Sequence, residues 1–197
     1  MRKFLKLTCA TVISALATSP ALADGHAQSW DMPMAYSATN FHSEQGVMFA
    51  DKVREYTKGA IDITVHPGGS LFGGGDIKRA IQTGQVPIGE RFMSAHVNEA
   101  PLLGWDNLPF IATTYEDNAR LWDAAKDTVN AQLAELNLVA LYTCPWPGQG
   151  FYFNKEVNSS ADTQGIKFRS YNTATATFAD ALGMIPVQIE AAELSQA

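Results

Sequence analysis

Apolar and polar residues alternate near the start of the chain and then change to a helical spacing. The alternation within residues 29–38 predicts an extended segment, and a second alternating stretch at 61–65 predicts a half-buried strand. Between them, residues 41–57 carry apolar side chains three and four positions apart, which predicts a helix. Its predicted buried face consists of Val47, Phe49, Ala50, Val53 and Tyr56.

The middle of the chain continues the exchange of helical and extended patterns. A glycine-rich loop leads to a predicted short helix at 76–83, and a long amphipathic pattern predicts a helix at 115–136. Further stretches predict short elements: strands at 86–89, 138–142 and 151–153, and a helix-like turn at 92–98. Leu121, Trp122, Ala125, Val129 and Leu133 form the predicted buried face of the long helix.

The last part of the chain predicts a strand, a helix and a second strand. Gly165 marks a turn before a strand at 166–168, a helix follows at 173–182, and a second strand follows at 184–189, with a helix beginning at Ala191. Because strands alternate with helices along the chain, we predict an α/β fold with a largely parallel sheet. Proline and glycine at 145–148 predict a crossing between lobe one, residues 24–145, and a partial lobe two, residues 146–197.

The first 23 residues have the features of a secretory signal peptide. A basic start at Arg2, Lys3 and Lys6 precedes a short apolar run, and Ala21-Leu22-Ala23 provides a small-residue cleavage site. We therefore predict export and a periplasmic location. Cleavage would leave Cys144 as the sole cysteine, so no intrachain disulfide is expected.

Charge narrows the classes of partner. The chain has a formal net charge of −6, and the predicted signal peptide holds three basic residues and no acidic ones, so the remainder is more acidic. An acidic exported protein would be repelled by phosphate backbones, and we expect no nucleic-acid partner. No later stretch is long and apolar enough to predict embedding in a membrane.

One cation stands where ligands bind in open α/β sheets. Arg169 follows the predicted strand at 166–168, at its carboxyl end. Its planar fork of donors matches a carboxylate, although an arginine at a strand end can also be a surface residue. The sequence His96-x-x-Glu99 lacks the second histidine of a helical zinc motif, and no glycine loop leads to a Lys-Ser/Thr pair. We therefore predict no metal, no cofactor and no catalytic residue.

Four segments carry a resemblance to a known family. They are FADKVREYTKGAIDITVHPGGSLFGGGDIKRAIQTGQV, NEAPLLGWDNLPFIATTYEDNARLW, WPGQGFYFNKEV, and GIKFRSYNTATATFADALG with its AAELSQA tail. In this order they resemble the solute-binding proteins of TRAP transporters, the DctP-like family. The resemblance implies a two-lobed periplasmic-binding-protein fold with mostly parallel sheets. Family members are longer, so it also implies a C-terminally truncated chain whose second lobe is incomplete.

The same resemblance implies a function and a role for the arginine. Family members bind small organic acids between two lobes and deliver them to a membrane permease, and their signature arginine, matched by Arg169, pairs with the substrate carboxylate. Acidic-sugar-binding members carry a second arginine in a loop that here holds Gln149. This difference favours a monocarboxylate with an apolar or aromatic body.

Seven further residues are candidates for ligand contact, and each has a structural alternative. Trp146 can form an aromatic wall of the cleft or a hinge plug, and Asn172 and Asn40 can contact ligand or cap the helices that follow them. The remaining candidates are Gln149, Glu90, Phe92 and Phe72, and for Phe72 we favour hydrophobic packing. Two other functions stay open: an exported ligand-sensing module with the same fold, and a secreted hydrolase, for which the sequence offers no nucleophile–base pair.

Overall fold

The computed structural model describes residues 27–197, so the predicted signal peptide lies outside the described residues. Two β–α–β units form the framework. The first unit consists of β1 (Gln28–Pro33), α1 (Phe41–Tyr56) and β2 (Ile61–His66). In the first unit the two strands pair in parallel, from Gln28 opposite Ile61 to Pro33 opposite His66. The prediction of a strand–helix–strand order is confirmed here.

The sheet of the first unit covers the main apolar core. Met32, Met34 and Ile63 are buried between the strands and α1, together with Ala50 of the helix and Ile88. The alternation of β1 places the methionines on one face, which explains why they meet the helix. At the C-terminal end of α1, Lys58 and Gly59 both adopt positive φ, at 53° and 81°, and turn the chain into β2.

The buried face of α1 differs from the predicted one. Val47 and Tyr56 are exposed, whereas His42, Ser43, Gly46 and Ala50 are buried. The physical reason is close packing, because a Cβ on Gly46 would collide with the sulfur of Met34. A small residue therefore lets the helix approach the sheet, and the prediction for Val47 and Tyr56 was wrong.

A second apolar cluster lies under the long helix. Between the two units the chain forms α2 (Ile77–Gln82), two 3₁₀ turns (Met93–His96 and Pro101–Gly104) and α3 (Tyr115–Glu135). The helix α3 buries Val129 and Leu133 against the second turn, as its amphipathic pattern predicts. Within residues 27–197 no helix has the length and apolarity needed to cross a membrane.

The second unit repeats the first on a smaller scale. It consists of β3 (Lys167–Ser170), α4 (Thr173–Ala181) and β4 (Ile185–Gln188), and its strands are again parallel. Gly165 has a φ of 71°, which explains the glycine before β3. A 3₁₀ turn at Ala191–Gln196 occupies the place of the helix predicted from Ala191.

Three predicted strands are absent from the described part of the chain. Residues 86–89, 138–142 and 151–153 have no strand pairing. The residue after the first of these stretches, Glu90, joins the first sheet by a single parallel bridge to Met34, so Glu90 and Arg91 are described with the first unit. Residues 139–157 make no backbone–backbone hydrogen bond with any described residue. The apolar alternation of a strand is present there, with Val139 and Leu141 exposed, but a ladder needs a neighbouring strand. These strand predictions were wrong for this structure.

Candidate functional site

Arg169 lies at the carboxyl end of β3, facing a cavity of about 610 Å³. Its side chain is half-buried, its Nε donates to the carbonyl of Ile189 at 3.0 Å, and its guanidinium lies 5.1 Å from the ring centre of Tyr171. Its two terminal nitrogens make no hydrogen bond or ion pair with any residue in 27–197. The guanidinium is therefore held in place by Nε and the ring, while both terminal nitrogens remain available.

The wall of this cavity is mainly aromatic. Phe151 stacks on Phe178 with ring centres 4.9 Å apart and contacts Phe168, and all but Phe178 line the cavity. Gln149 also lines it, and its Oε1 accepts a hydrogen bond from the hydroxyl of Tyr171 at 3.1 Å. The structure thus places Gln149 and Arg169 on the same cavity, linked through Tyr171.

A second arginine, Arg91, contacts the same segment after β4 that Arg169 contacts. Arg91 makes a bidentate ion pair with Glu190, at 3.2 and 3.0 Å, and their side chains are 11% and 34% exposed. Because Ile189 and Glu190 are consecutive, the two arginines converge on neighbouring residues after β4. A Cβ on Gly74 would come within 2.6 Å of Arg91 Nη1, so the glycine-rich loop also packs closely against this pair.

A buried polar group lies on the side of the first unit. Glu90 Oε1 is 3.3 Å from His42 Nδ1, and these side chains are 13% and 3% exposed. The contact is at ion-pair distance but lacks hydrogen-bond geometry, so both ring nitrogens of His42 are unpartnered among the described residues, as are Glu90 Oε2 and the hydroxyl of Tyr142. All three residues line a mostly apolar cavity of about 730 Å³.

The ring of Trp146 packs against His42 of this buried polar group. Its ring lies 4.3 Å from that of His42 and 5.0 Å from those of Tyr36 and Phe41. The tryptophan therefore packs on the first unit and lines the 730 Å³ cavity, which combines the wall and plug roles considered for it. Phe92 lines the same cavity and meets Tyr171 of the 610 Å³ cavity edge-on, with ring centres 5.7 Å apart, so the linings of the two cavities touch here.

Tyr36 stands between the charges of the two units. Burial raises the pKa of Tyr36 to about 12, the carboxylates of Glu90 and Glu190 add to this rise, and Arg91 and Arg169 oppose it. Its backbone is fixed because its carbonyl accepts from Gly68 N–H at 2.6 Å and from Ser43 Oγ at 2.8 Å. With a pKa of about 12, the phenol of Tyr36 is expected to be uncharged at neutral pH.

The remaining predicted residues have structural roles. Asn172 is buried, caps α4 by accepting from Thr175 N–H at 2.9 Å, and donates to Ser94 Oγ at 3.1 Å. Asn40 caps α1, accepting from His42 N–H at 3.0 Å, as predicted for a cap. Phe72 is half-buried, and neither it nor Asn40 lines the two cavities described above.

Sequence reasoning missed four residues of the site: Tyr36, His42, Arg91 and Glu190. Three of them had a signal in the sequence. Tyr36 and Glu190 follow β1 and β4 at the same kind of strand end as Arg169 in β3, and Arg91 follows the predicted strand at 86–89. His42 was hidden because the helix was aligned on its larger apolar residues.

The His96-x-x-Glu99 pair belongs to an ion network. The buried amine of Lys78 donates to Glu99 at 2.5 Å, and His96 Nδ1 is 3.6 Å from the same carboxylate. Within residues 27–197 no three His, Cys, Asp or Glu side chains are grouped so that they could hold a metal ion. The structure therefore gives this pair a packing role.

Solved structures of similar proteins share this fold. A marine metagenome TRAP solute-binding protein from an unidentified microbe, crystallised with co-purified pyroglutamate, is 81% identical with a TM-score of 0.86, over 87% of this chain and 56% of that one. A pyroglutamic-acid-binding extracytoplasmic solute receptor of Bordetella pertussis is 38% identical with a TM-score of 0.84, over 86% of this chain and 56% of that one. These neighbours share the α/β fold with parallel strands.

A curated relative and a family model also describe solute-binding proteins. The monocarboxylate 2-oxoacid-binding periplasmic protein of Nostoc sp. is 29% identical over 125 residues, which are 61% of this chain and 34% of that protein. This chain thus spans about half the length of the structural relatives it matches and a third of the curated one. The model of the DctP family, bacterial extracellular solute-binding protein family 7, matches residues 34–197. The chain therefore belongs to this family of solute-binding proteins, whose members are receptors rather than enzymes.

Proposed function

We propose that the protein is a periplasmic receptor that binds a small monocarboxylate at the junction of its two units and delivers it to a TRAP permease. Pyroglutamate is the first candidate ligand, because the relative that is 81% identical contains it. The single observation that carries the proposal is the half-buried guanidinium of Arg169, which offers both terminal nitrogens to a cavity.

Charge balance supports a carboxylate as the group that Arg169 binds. Arg91 is already matched by the bidentate carboxylate of Glu190, whereas Arg169 has no acidic partner among the described residues. A cation withdrawn from water costs free energy unless it is paired. A ligand carboxylate on the two terminal nitrogens would supply this partner with two parallel charge-assisted hydrogen bonds.

The lining favours a single negative charge on a compact body. The cavity around Arg169 contains no acidic side chain, and many of its lining side chains are aromatic, including Phe151, Phe168 and Tyr171. The other cation of the lining, Lys167, is exposed to solvent, so the half-buried guanidinium is the charge that most needs a partner. An apolar ring or short chain would gain from contact with these side chains. Both ligand classes named for the relatives, pyroglutamate and 2-oxoacids, are monocarboxylates of this size.

Delivery follows from the position of the ligand between two units. A ligand that contacts Arg169 on one side and the first unit on the other stabilises a closed arrangement, which a permease can distinguish from an open one. The predicted signal peptide at residues 1–23 would take the receptor to the periplasm.

The test is titration calorimetry with pyroglutamate and Arg169→Ala. Removing one partner of a buried charged pair costs about 3–5 kcal/mol, so affinity should fall at least about 100-fold. Arg79→Ala is the matched control, because Arg79 is exposed and pairs only with Asp76 within its own turn of helix. Equal affinity in wild type and Arg169→Ala, with the fold intact by circular dichroism, would refute the assignment.

A further inference from the structure

Glu90 is a buried carboxylate with an unused acceptor. Its Oε2 is buried and has no hydrogen-bond partner among the described residues, and its Oε1 faces His42 at 3.3 Å without hydrogen-bond geometry. Buried polar atoms are almost always hydrogen-bonded, and a buried charged acceptor is the costliest kind to leave unmatched. The protein thus keeps an acceptor in an apolar cavity at the edge where the sheet binds ligands.

The surroundings of Glu90 offer donors that do not reach it. The hydroxyl of Tyr142 and both nitrogens of His42 are also buried without partners, and Arg91, the next residue, directs its fork to Glu190. Burial raises the pKa of Tyr142 and of Cys144, which both line this cavity, and the Glu90 carboxylate adds to each rise. The indole of Trp146 and the ring of Phe92 complete the lining.

We propose that Glu90 is the specificity-determining residue of the receptor and accepts a hydrogen bond from an N–H or O–H donor close to the ligand carboxylate. This inference rests on the proposed function, in which Arg169 holds that carboxylate. The ring N–H of pyroglutamate, one carbon from its carboxylate, is a donor of the required kind. A 2-oxoacid presents only acceptor oxygens at the same place and would face the Glu90 carboxylate without a proton to share.

The two recognition groups are linked by direct contacts between their neighbours. Arg91, which follows Glu90, pairs with Glu190. The carbonyl of the preceding Ile189 accepts from Arg169 Nε. One recognition group comes from the first unit and the other from the second, so a ligand with a carboxylate and an adjacent donor can satisfy both. His42, packed between Trp146 and Phe41, lies beside the Glu90 carboxylate at this edge.

The test compares two ligands of the same shape by titration calorimetry. Pyroglutamate has a ring N–H, and the lactone acid of the same ring size has a ring oxygen instead. A hydrogen bond to a charged group contributes about 1.5–3 kcal/mol, so the wild-type protein should prefer the lactam about 10- to 150-fold. Glu90→Gln should reduce this preference, because the amide is uncharged and can turn its NH₂ toward the lactone oxygen.

Glu44→Gln is the matched control, since Glu44 is an exposed glutamate on α1 and should leave the preference unchanged. Equal affinity of the wild-type protein for lactam and lactone would overturn the role of Glu90 while leaving the carboxylate receptor intact. Failure of both acids to bind would instead remove the proposed function. The ligand comparison needs no variant, so it decides the question even if Glu90→Gln does not fold.

Discussion

The two β–α–β units have the same plan and different surroundings. Both have parallel strands, and both helices begin at an asparagine cap, Asn40 in the first unit and Asn172 in the second. The first unit buries Ile63 in a continuous core, with 3% of the residue exposed, whereas Ile185 of the second unit is 50% exposed. The same local motif thus forms with and without a covered sheet, which shows that its strand order depends on local sequence and its stability on packing.

The units also divide the chemistry of the site. The second unit supplies a cation, Arg169, and the first supplies an acceptor, Glu90, each at the end of its sheet. Neither group can hold both ends of a small acid alone. On the function proposed above, selectivity would arise when both units contact the same molecule.

The largest expected contrast between the units concerns their cores. Ile63→Ala removes buried methyl groups from the first unit and should lower the free energy of unfolding by about 2–5 kcal/mol. Ile185→Ala acts on a half-exposed strand of the second unit and should cost no more than about 1 kcal/mol. Chemical denaturation followed by circular dichroism measures both changes, and equal losses would show that the second sheet is covered in solution.

The asparagine caps provide the next contrast. Asn172→Ala removes the cap of α4 and also leaves the buried Ser94 hydroxyl without its donor, so we expect a loss of about 2–4 kcal/mol. Asn40→Ala removes only a cap and should cost about 0.5–2 kcal/mol. Equal unfolding midpoints for the two variants would mean that the Asn172–Ser94 bond contributes nothing to joining the two units.

A smaller effect is expected at the ion pair between the units. Glu190→Gln keeps the shape of the side chain but removes the charge that matches Arg91, and because Glu190 is partly solvated we expect a loss of about 1–2 kcal/mol. Glu193→Gln, an exposed change in the following 3₁₀ turn, is the matched control and should be neutral. If both variants unfold like the wild type, the pair does not tie the units together.

The smallest expected effect is a dependence of the free energy of unfolding on pH. It should come from the part of the chain before residue 146, because residues 146–197 contain no histidine. Burial lowers the pKa of His96, Arg91 and Lys78 add to this lowering, and Glu99 opposes it. As pH falls below about 6.5, the unfolded chain therefore takes up a proton before the folded one does, and stability declines. His96→Gln should show a smaller difference in unfolding midpoint between about pH 7.5 and pH 5.5 than the wild type, and an unchanged difference would assign the pH dependence to other groups.

Local pattern was sufficient for both β–α–β units. The turn at Gly165, the capping asparagines and the cation after β3 follow from residue type and spacing, and the structure contains each of them. The failures have a different cause. Residues 86–89, 138–142 and 151–153 have strand-like composition, but pairing depends on a neighbour that may be distant in sequence, and no such neighbour stands beside them among residues 27–197.

The prediction of the site residues was limited for the same reason, because it also depends on contacts between residues distant in sequence. The position of Arg169 at a strand end and the family resemblance were enough to propose it as a carboxylate ligand. The Arg91–Glu190 pair instead joins residues 99 positions apart, which no spacing rule anticipates. His42 was missed because the buried face of α1 was predicted from its large apolar residues. In the structure the close packing of Gly46 against the sheet determines which face of α1 is buried. What the sequence leaves open is the contact between units, where we propose that the ligand binds.

The unpaired stretch at 139–157 has a practical consequence for handling the protein. Both of its backbone edges are open, and apolar side chains such as Val139 and Tyr152 face solvent. An open edge of this kind is a template for strand addition between molecules. Light scattering of a purified chain of residues 27–197 should therefore reveal self-association that increases with concentration, so dilute samples are the appropriate starting point for measurements on it.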